Sequence, residues 1–285
     1  MRRRSRNNPL VLTAYAGILI LCVGGLGYAA MQSYGKQVAD EYGCFADAQQ
    51  PQSFVMFDAS EPRFNDEQAR SLRTYFDRLY ENLSFNERLS FITSEADQVA
   101  SVSAPRFYVC GQAKSPKQLE EIGAASSQAG YLKKQKQRLY DHVVAPEYDA
   151  LLSENPDDER RQYYQSPIME MIADISRLRE LERGSRLIIV SDLIQNSDSV
   201  RFCRVRGDMP EFKTFKKRPA YSLLKPKSLE NIEVEILLVQ RMGYGQEGYD
   251  YCSGEKELMA FWGDFFTDNG ASVHFIRIRH GNIEG

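Results

Sequence analysis

Two carboxylates and two hydroxyls stand where apolar runs end or begin. Asp58 and Ser60 close the run Ser53–Ala59 (SFVMFDA). Ser166 and Pro167 introduce the helix-patterned run Ile168–Leu181. Asp192 follows Leu187–Ser191 (LIIVS). If the strand-like runs lie in one parallel sheet, Asp58-Ala59-Ser60, Ser166-Pro167 and Ser191-Asp192 meet beyond the carboxyl ends of the strands. Open α/β sheets bind ligands there, at the point where strand order reverses. Two carboxylates with two hydroxyls form a hard-oxygen donor set. That set suits Mg²⁺, Mn²⁺ or Ca²⁺ and lacks the His and thiolate ligands of zinc sites. His142, His274 and His280 are scattered, with no Ser/His/Asp or Cys/His nucleophile arrangement. Gly243-Tyr244-Gly245 lacks the Lys and following helix of a phosphate loop. The plainer role for Asp58 is to cap the helix that follows it.

The elements that must position these groups read as an alternation. After the first strand, Ala69, Leu72, Tyr75, Phe76, Leu79, Tyr80 and Leu83 recur at helical spacing over Asn65–Leu83, and Asn65 with Gln68 forms a capping-box signature. Arg88–Thr93 and Arg106–Cys110 are strand-like, and the short polar linker between them favours antiparallel pairing. Residues 112–165 are polar and mostly helical in pattern, best over Tyr131–Glu154. The pattern of Ile168–Leu181 predicts a helix with Ser166 as its cap, Pro167 in its first turn and Gly184 at its end. Leu187–Ser191 is apolar throughout, as for a strand buried on both faces. Ile232–Val239 is a further strand, Leu258–Phe266 an amphipathic helix closed near Gly270, and Val273–Ile278 the last strand. The fold class expected is α/β: a doubly wound, mostly parallel sheet with one antiparallel edge strand.

Charge divides the chain. Its 285 residues carry a net −3, from 36 Lys+Arg against 39 Asp+Glu. Arg2, Arg3, Arg4 and Arg6 precede any acid, and without these four the rest holds 32 basic against 39 acidic residues, a net of −7. That balance argues against a dedicated nucleic-acid binder, and no nucleic-acid partner is expected. Between Asn7 and Gly35 there is no charged residue, and Pro9–Met31 is long enough to cross ~30 Å of hydrocarbon. The expected organisation is a basic cytoplasmic tip over 1–8, a transmembrane signal anchor over 9–31, a linker over 32–49 and an α/β domain over 50–281. The arginines place the N-terminus in the cytoplasm and the domain in the periplasm or outside the cell. A cleaved signal peptide is the rival, but the apolar run exceeds the ~7–15 residues of a signal core. Cys22 lies inside the span. Cys44, Cys110, Cys203 and Cys252 all lie in the exported part, an even number that points to two disulfides with three connectivities open.

The order strand–Asp-x-Ser, hairpin, Ser-Pro opening a helix, strand–Asp resembles a von Willebrand factor type A domain over about residues 50–280. That family's metal-ion-dependent adhesion site uses an Asp-x-Ser-x-Ser motif, a Thr from a later loop and an Asp after the fourth strand. The resemblance implies metal ligation by Asp58, Ser60, Ser166 and Asp192, with a protein partner's acidic side chain completing the coordination of the divalent cation. Pro62 replaces the motif's last Ser, Ser166 stands for the Thr, and Leu193 replaces the Gly usual after the last Asp. The family's strand order puts the end of an antiparallel third strand, at Cys110, beside the segment entering the first, and so implies Cys44–Cys110 and Cys203–Cys252.

The function expected is a membrane-anchored, exported protein-interaction module without catalytic residues. The alternatives are a metal-dependent phosphoester hydrolase and a metal-free scaffold subunit of a membrane complex. The long segment Asn196–Ser228 carries Lys213, Lys216, Lys217, Arg218, Lys225 and Lys227 among Phe202, Phe212, Phe215 and Tyr221. It reads either as a recognition loop for an acidic protein surface or an anionic lipid, or as a solvated insertion tied down by a disulfide. Trp262, with Phe261, Phe265 and Phe266, reads as core.

Overall fold

The computed structural model describes residues 9–33, 36–58, 64–93, 105–153, 166–178, 185–202, 209–240 and 254–280. Six strands form one sheet: β1 (Gln52–Phe57), β2 (Arg88–Thr93), β3 (Phe107–Cys110), β4 (Arg186–Ser191), β5 (Glu233–Val239) and β6 (Ser272–Ile278). Their order is β3-β2-β1-β4-β5-β6. All neighbours are parallel except β2 and β3. The mostly parallel sheet and the antiparallel edge strand are as expected. The chain builds outward from β1 in one direction through β2 and β3, then returns to β1 and builds the other way through β4, β5 and β6. The reversal falls between β1 and β4.

Alternation along the strands sends side chains to two cores. On one face Met56, Leu187, Ile189, Ile236 and Leu238 pack with Trp262 and Phe265. On the other, Val55, Phe57, Ile188, Val190 and Leu237 pack with Leu72, Phe76 and Tyr148. A strand buried on both faces gains nothing from polar residues, hence the unbroken apolar run of β4.

The helices are α1 (Pro9–Ser33), α2 (Asp66–Asn82), α3 (Pro116–Glu121), α4 (Ala129–Leu139), α5 (Ala145–Ser153), α6 (Ile168–Ile175), α7 (Phe212–Phe215), α8 (Pro219–Leu224) and α9 (Glu255–Asp268). The capping box of α2 is formed by Asn65 and Gln68 as the sequence indicates. The helical stretch sought over Tyr131–Glu154 is α4 and α5 joined by a π-turn over Tyr140–Val144, where the Ala145 amide donates to the Tyr140 carbonyl. Pro146, next in sequence, has no amide to donate, and the wider turn absorbs that loss.

Two expectations for α6 are corrected. It stops at Ile175, not Leu181. Ser176 ends it by donating its hydroxyl to the Ala173 carbonyl at 2.6 Å and accepting the Lys227 amide at 2.8 Å. Gly184, the expected terminator, lies outside the described residues. Nor does Ser166 cap α6; Pro167 precedes the helix, and the Ser166 side chain is engaged elsewhere.

The segment expected to be a linker is hydrogen-bonded into the domain from Gln37 onward, where the Gln37 amide donates to Gly123 and its carbonyl accepts from Ala125. Cys44 and Phe45 are buried, and Asn86 holds Phe45 through both its amide and its carbonyl. Cys44 is disulfide-bonded to Cys110. Cys203 and Cys252 lie outside the described residues.

The aromatic residues of 196–228 are folded into the domain. Phe202, Phe212, Phe215 and Tyr221 are buried against Phe261, Trp262 and Phe265. Phe212, Phe215 and Tyr221 are core because α7 and α8 fold them inward while the lysines stay outside.

Among the described residues no helix is long and apolar enough to cross a membrane. The whole of α1 nevertheless has 25 residues and no charged side chain.

Candidate functional site

Asp58 follows β1 directly and is buried, 3% exposed. Its amide donates to the Val190 carbonyl, extending the β1–β4 ladder by one bond and fixing the carboxylate over the reversal point. Asp58 Oδ2 accepts the Ser191 hydroxyl at 2.9 Å and also the Ser166 hydroxyl, in a short bond. The three segments named from the sequence are therefore joined at Asp58, which accepts from Ser166 and from Ser191, the residue before Asp192. Asp58 does not cap α2, which Asn65 does, so the plainer role for this aspartate is excluded.

Ser166 reaches Asp58 because its backbone is paired with the loop after β4. Its amide donates to the Asn196 carbonyl at 2.6 Å, and the Asn196 amide returns the bond at 2.9 Å. Nothing in the local sequence around Ser166 announces this pairing. Beside it, Gln195 is fully buried and takes the capping role expected of Ser166, accepting the Met169 amide at 2.8 Å. Gln195 also donates to Glu170 at 2.9 Å, and the Ser197 hydroxyl donates to the other oxygen of Glu170 at 2.6 Å. Nothing in the sequence singles out Gln195, because a lone glutamine after a strand carries no motif.

Asp192 is buried, and its Oδ1 accepts the Ile194 amide at 2.9 Å, forming an Asx-turn that bends the chain away from β4. The next residue, Leu193, has φ +65, in the left-handed region. A Leu is strained there by roughly 1–3 kcal/mol, which gives a physical reason for a Gly at this place. Three contacts hold it. Its amide donates to Ser191 Oγ at 2.8 Å, its carbonyl accepts Trp262 Nε1 at 2.9 Å, and its side chain is fully buried. Trp262 is thus core, as read from the sequence, and also locks the turn that carries Asp192.

Ser60 lies outside the described residues, as does Pro62. Among the described residues no three His, Cys, Asp or Glu side chains gather as a metal-binding group. The groups in contact are the Asp58 carboxylate and the hydroxyls of Ser166 and Ser191, with Asp192 next along the chain, all oxygen and all buried. Their chemistry fits a small hard cation in part: the Ser166 hydroxyl donates its proton to Asp58 and keeps its lone pairs for another partner, whereas Ser191 Oγ already accepts the Leu193 amide.

A second polar cluster lies at the opposite ends of the same strands. Glu87, ahead of β2, accepts the Ser53 hydroxyl at 2.7 Å, the Arg186 guanidinium at 2.7 Å and the Ser84 amide at 2.8 Å. Burial pushes its carboxyl pKa up, but Arg186, Ser84 and Ser53 together outweigh burial and hold it below the usual range. This cluster ties β1, β2 and β4 at their starts and is structural.

No protein-family model matches the chain, and no curated protein matches it. Among solved structures it is similar to a conserved hypothetical protein, BatB, from Bacteroides thetaiotaomicron. The identity is 13%, over 81% of this chain and 91% of that one, with a TM-score of 0.39. A superposition so loose carries no argument, and the fold rests on the strand order and register above.

Proposed function

We propose that this chain is a membrane-anchored, exported interaction module of the von Willebrand factor type A kind, capturing a protein partner at the crevice between the ends of β1 and β4. The observation that carries the reading is the buried Asp58 carboxylate, bonded by Ser166 and Ser191 at the strand-order reversal. The strand order and the antiparallel β3 support the family likeness. Asp58 and Asp192 would hold a divalent cation, with the hydroxyls of Ser166 and Ser60 toward it. When bound, the ion offers a coordination position to an acidic side chain of the partner. The chain's own residues orient the site: Ser191 and Ser166 fix the Asp58 carboxylate, and Trp262 and Leu193 fix the turn at Asp192.

Membrane attachment rests on the length of α1, its lack of charge and the arginines before it. Flotation of the full chain with lipid vesicles at high salt and alkaline pH checks this. Recovery in the soluble fraction would overturn it.

One observation favours a metal-free scaffold instead. Asp58 Oδ2 already has two hydroxyl donors, so the network closes on itself without an ion. The two versions separate in affinity purification from detergent-solubilised membranes, using wild type and Asp58→Ala, with and without chelator. The metal-dependent version expects capture to vanish in the variant and with chelator. Capture unaffected by both leaves the scaffold.

A further inference from the structure

The surface built by α7 and α8 is charged unlike the rest of the molecule. From Phe212 to Leu229 the chain holds Lys213, Lys216, Lys217, Arg218, Lys225 and Lys227 and no acid, whereas beyond residue 35 it carries a net −7. All six cations are exposed. They stand on a fixed scaffold, because Phe212, Phe215, Tyr221 and Leu224 between them are buried. Lys216 is paired with Asp268. Amid the cations Leu223 is 74% exposed.

The place of this surface gives it meaning. The Lys227 amide bonds Ser176 at the end of α6, and the Leu229 amide bonds the Asn269 carbonyl just ahead of β6. The hairpin of α7 and α8 therefore ends at the amino-terminal end of the parallel strands, opposite Asp58. The chain enters the domain at that same end, through Cys44 and its bond to Cys110. It is hydrogen-bonded to the domain at Gln37, four residues beyond the last residue of α1, Ser33. Four residues reach at most about 14 Å.

We propose that the α7–α8 surface docks on anionic lipid headgroups, so that the Asp58 end of the sheet faces away from the membrane. This rests on α1 being a span. Lysines act as point charges and take headgroup phosphates without fixed geometry, and Leu223 inserts between headgroups. The attraction of an anionic surface fades over a Debye length of about 8–10 Å, and the short tether keeps the entry point of the domain, Gln37, within that order of distance of the end of α1. An acidic protein would match the charge but gives no use to the tether.

The test uses the full chain reconstituted in phosphatidylcholine vesicles, with and without about one-third phosphatidylglycerol. Backbone hydrogen exchange is followed over residues 212–227. Exchange about fivefold slower with phosphatidylglycerol at low salt is expected, and K213Q/K217Q/K225Q/K227Q abolishes the difference. A chain that floats with both vesicles but exchanges equally in both overturns the docking and leaves the span intact. A chain that floats with neither overturns the span and the docking together. Equal protection by soluble polyglutamate on phosphatidylcholine vesicles overturns the lipid in favour of an acidic protein.

Discussion

The Ser191 hydroxyl donates to the Asp58 carboxylate at 2.9 Å, joining the last residue of β4 to the residue after β1 across the line where strand order reverses. This one bond decides how the site responds to change.

Asp58→Ala leaves the Ser166 and Ser191 hydroxyls without their buried acceptor, and a loss of about 2 kcal/mol is expected. Asp58→Asn keeps one acceptor oxygen and should lose about 1 kcal/mol. Urea denaturation measures both. On the cation reading, Mg²⁺ raises the wild-type Tm and leaves Asp58→Ala where it was. A wild-type Tm that is the same with Mg²⁺ as with chelator sinks that reading.

Leu193 inverts the usual ranking of small substitutions. Leu193→Ala opens a cavity and keeps the positive φ, at a cost of about 3 kcal/mol. Leu193→Gly opens a slightly larger cavity but removes the left-handed strain, and should be about 1 kcal/mol more stable than the Ala variant. Chemical denaturation of the pair gives the difference directly; equal stabilities would mean that the backbone here is not strained.

Glu87 sets an acid limit. Its folded-state pKa lies below the ordinary glutamate value, so its contribution is fully present above that ordinary value and is lost as pH falls through the folded pKa. Glu87→Ala breaks a largely buried pair with Arg186 and should cost about 3 kcal/mol at pH 7. The gap between wild type and variant should narrow steadily as urea titrations move from neutral to more acidic pH. A gap independent of pH would contradict the assignment.

The Cys44–Cys110 bond closes a loop with a sequence separation of 66 residues. A chain-entropy estimate makes its removal, as the double Cys→Ser variant, worth about 4 kcal/mol. Non-reducing peptide mapping should recover the Cys44–Cys110 linked pair. A peptide linking Cys44 to Cys203 would refute it.

Much of the architecture was legible because it depends on local patterning. The unbroken apolar run of Leu187–Ser191, the Asn65/Gln68 box and the short hairpin linker each carry their own signal. Asp58, Ser166 and Asp192 were legible from their places at the edges of apolar runs. What was not legible depends on contacts distant in sequence. The exchange of backbone bonds between Ser166 and Asn196 turned an expected helix cap into a partner of Asp58. Gln195 took over the cap because burial, not sequence context, aimed it at Met169. The phenylalanines around Lys213–Lys217 look like surface residues by their neighbours, and only the packing of α7 on α9 shows them to be core.

The covalent link between Cys44 and Cys110 also has a mechanical consequence. A force applied through α1 meets the domain first at Gln37 and then at Cys44. There the load divides between β3, through the disulfide, and the peptide chain leading to β1. Tension applied through α1 would thereby be spread over two strands before it reached the end of β1 at Asp58.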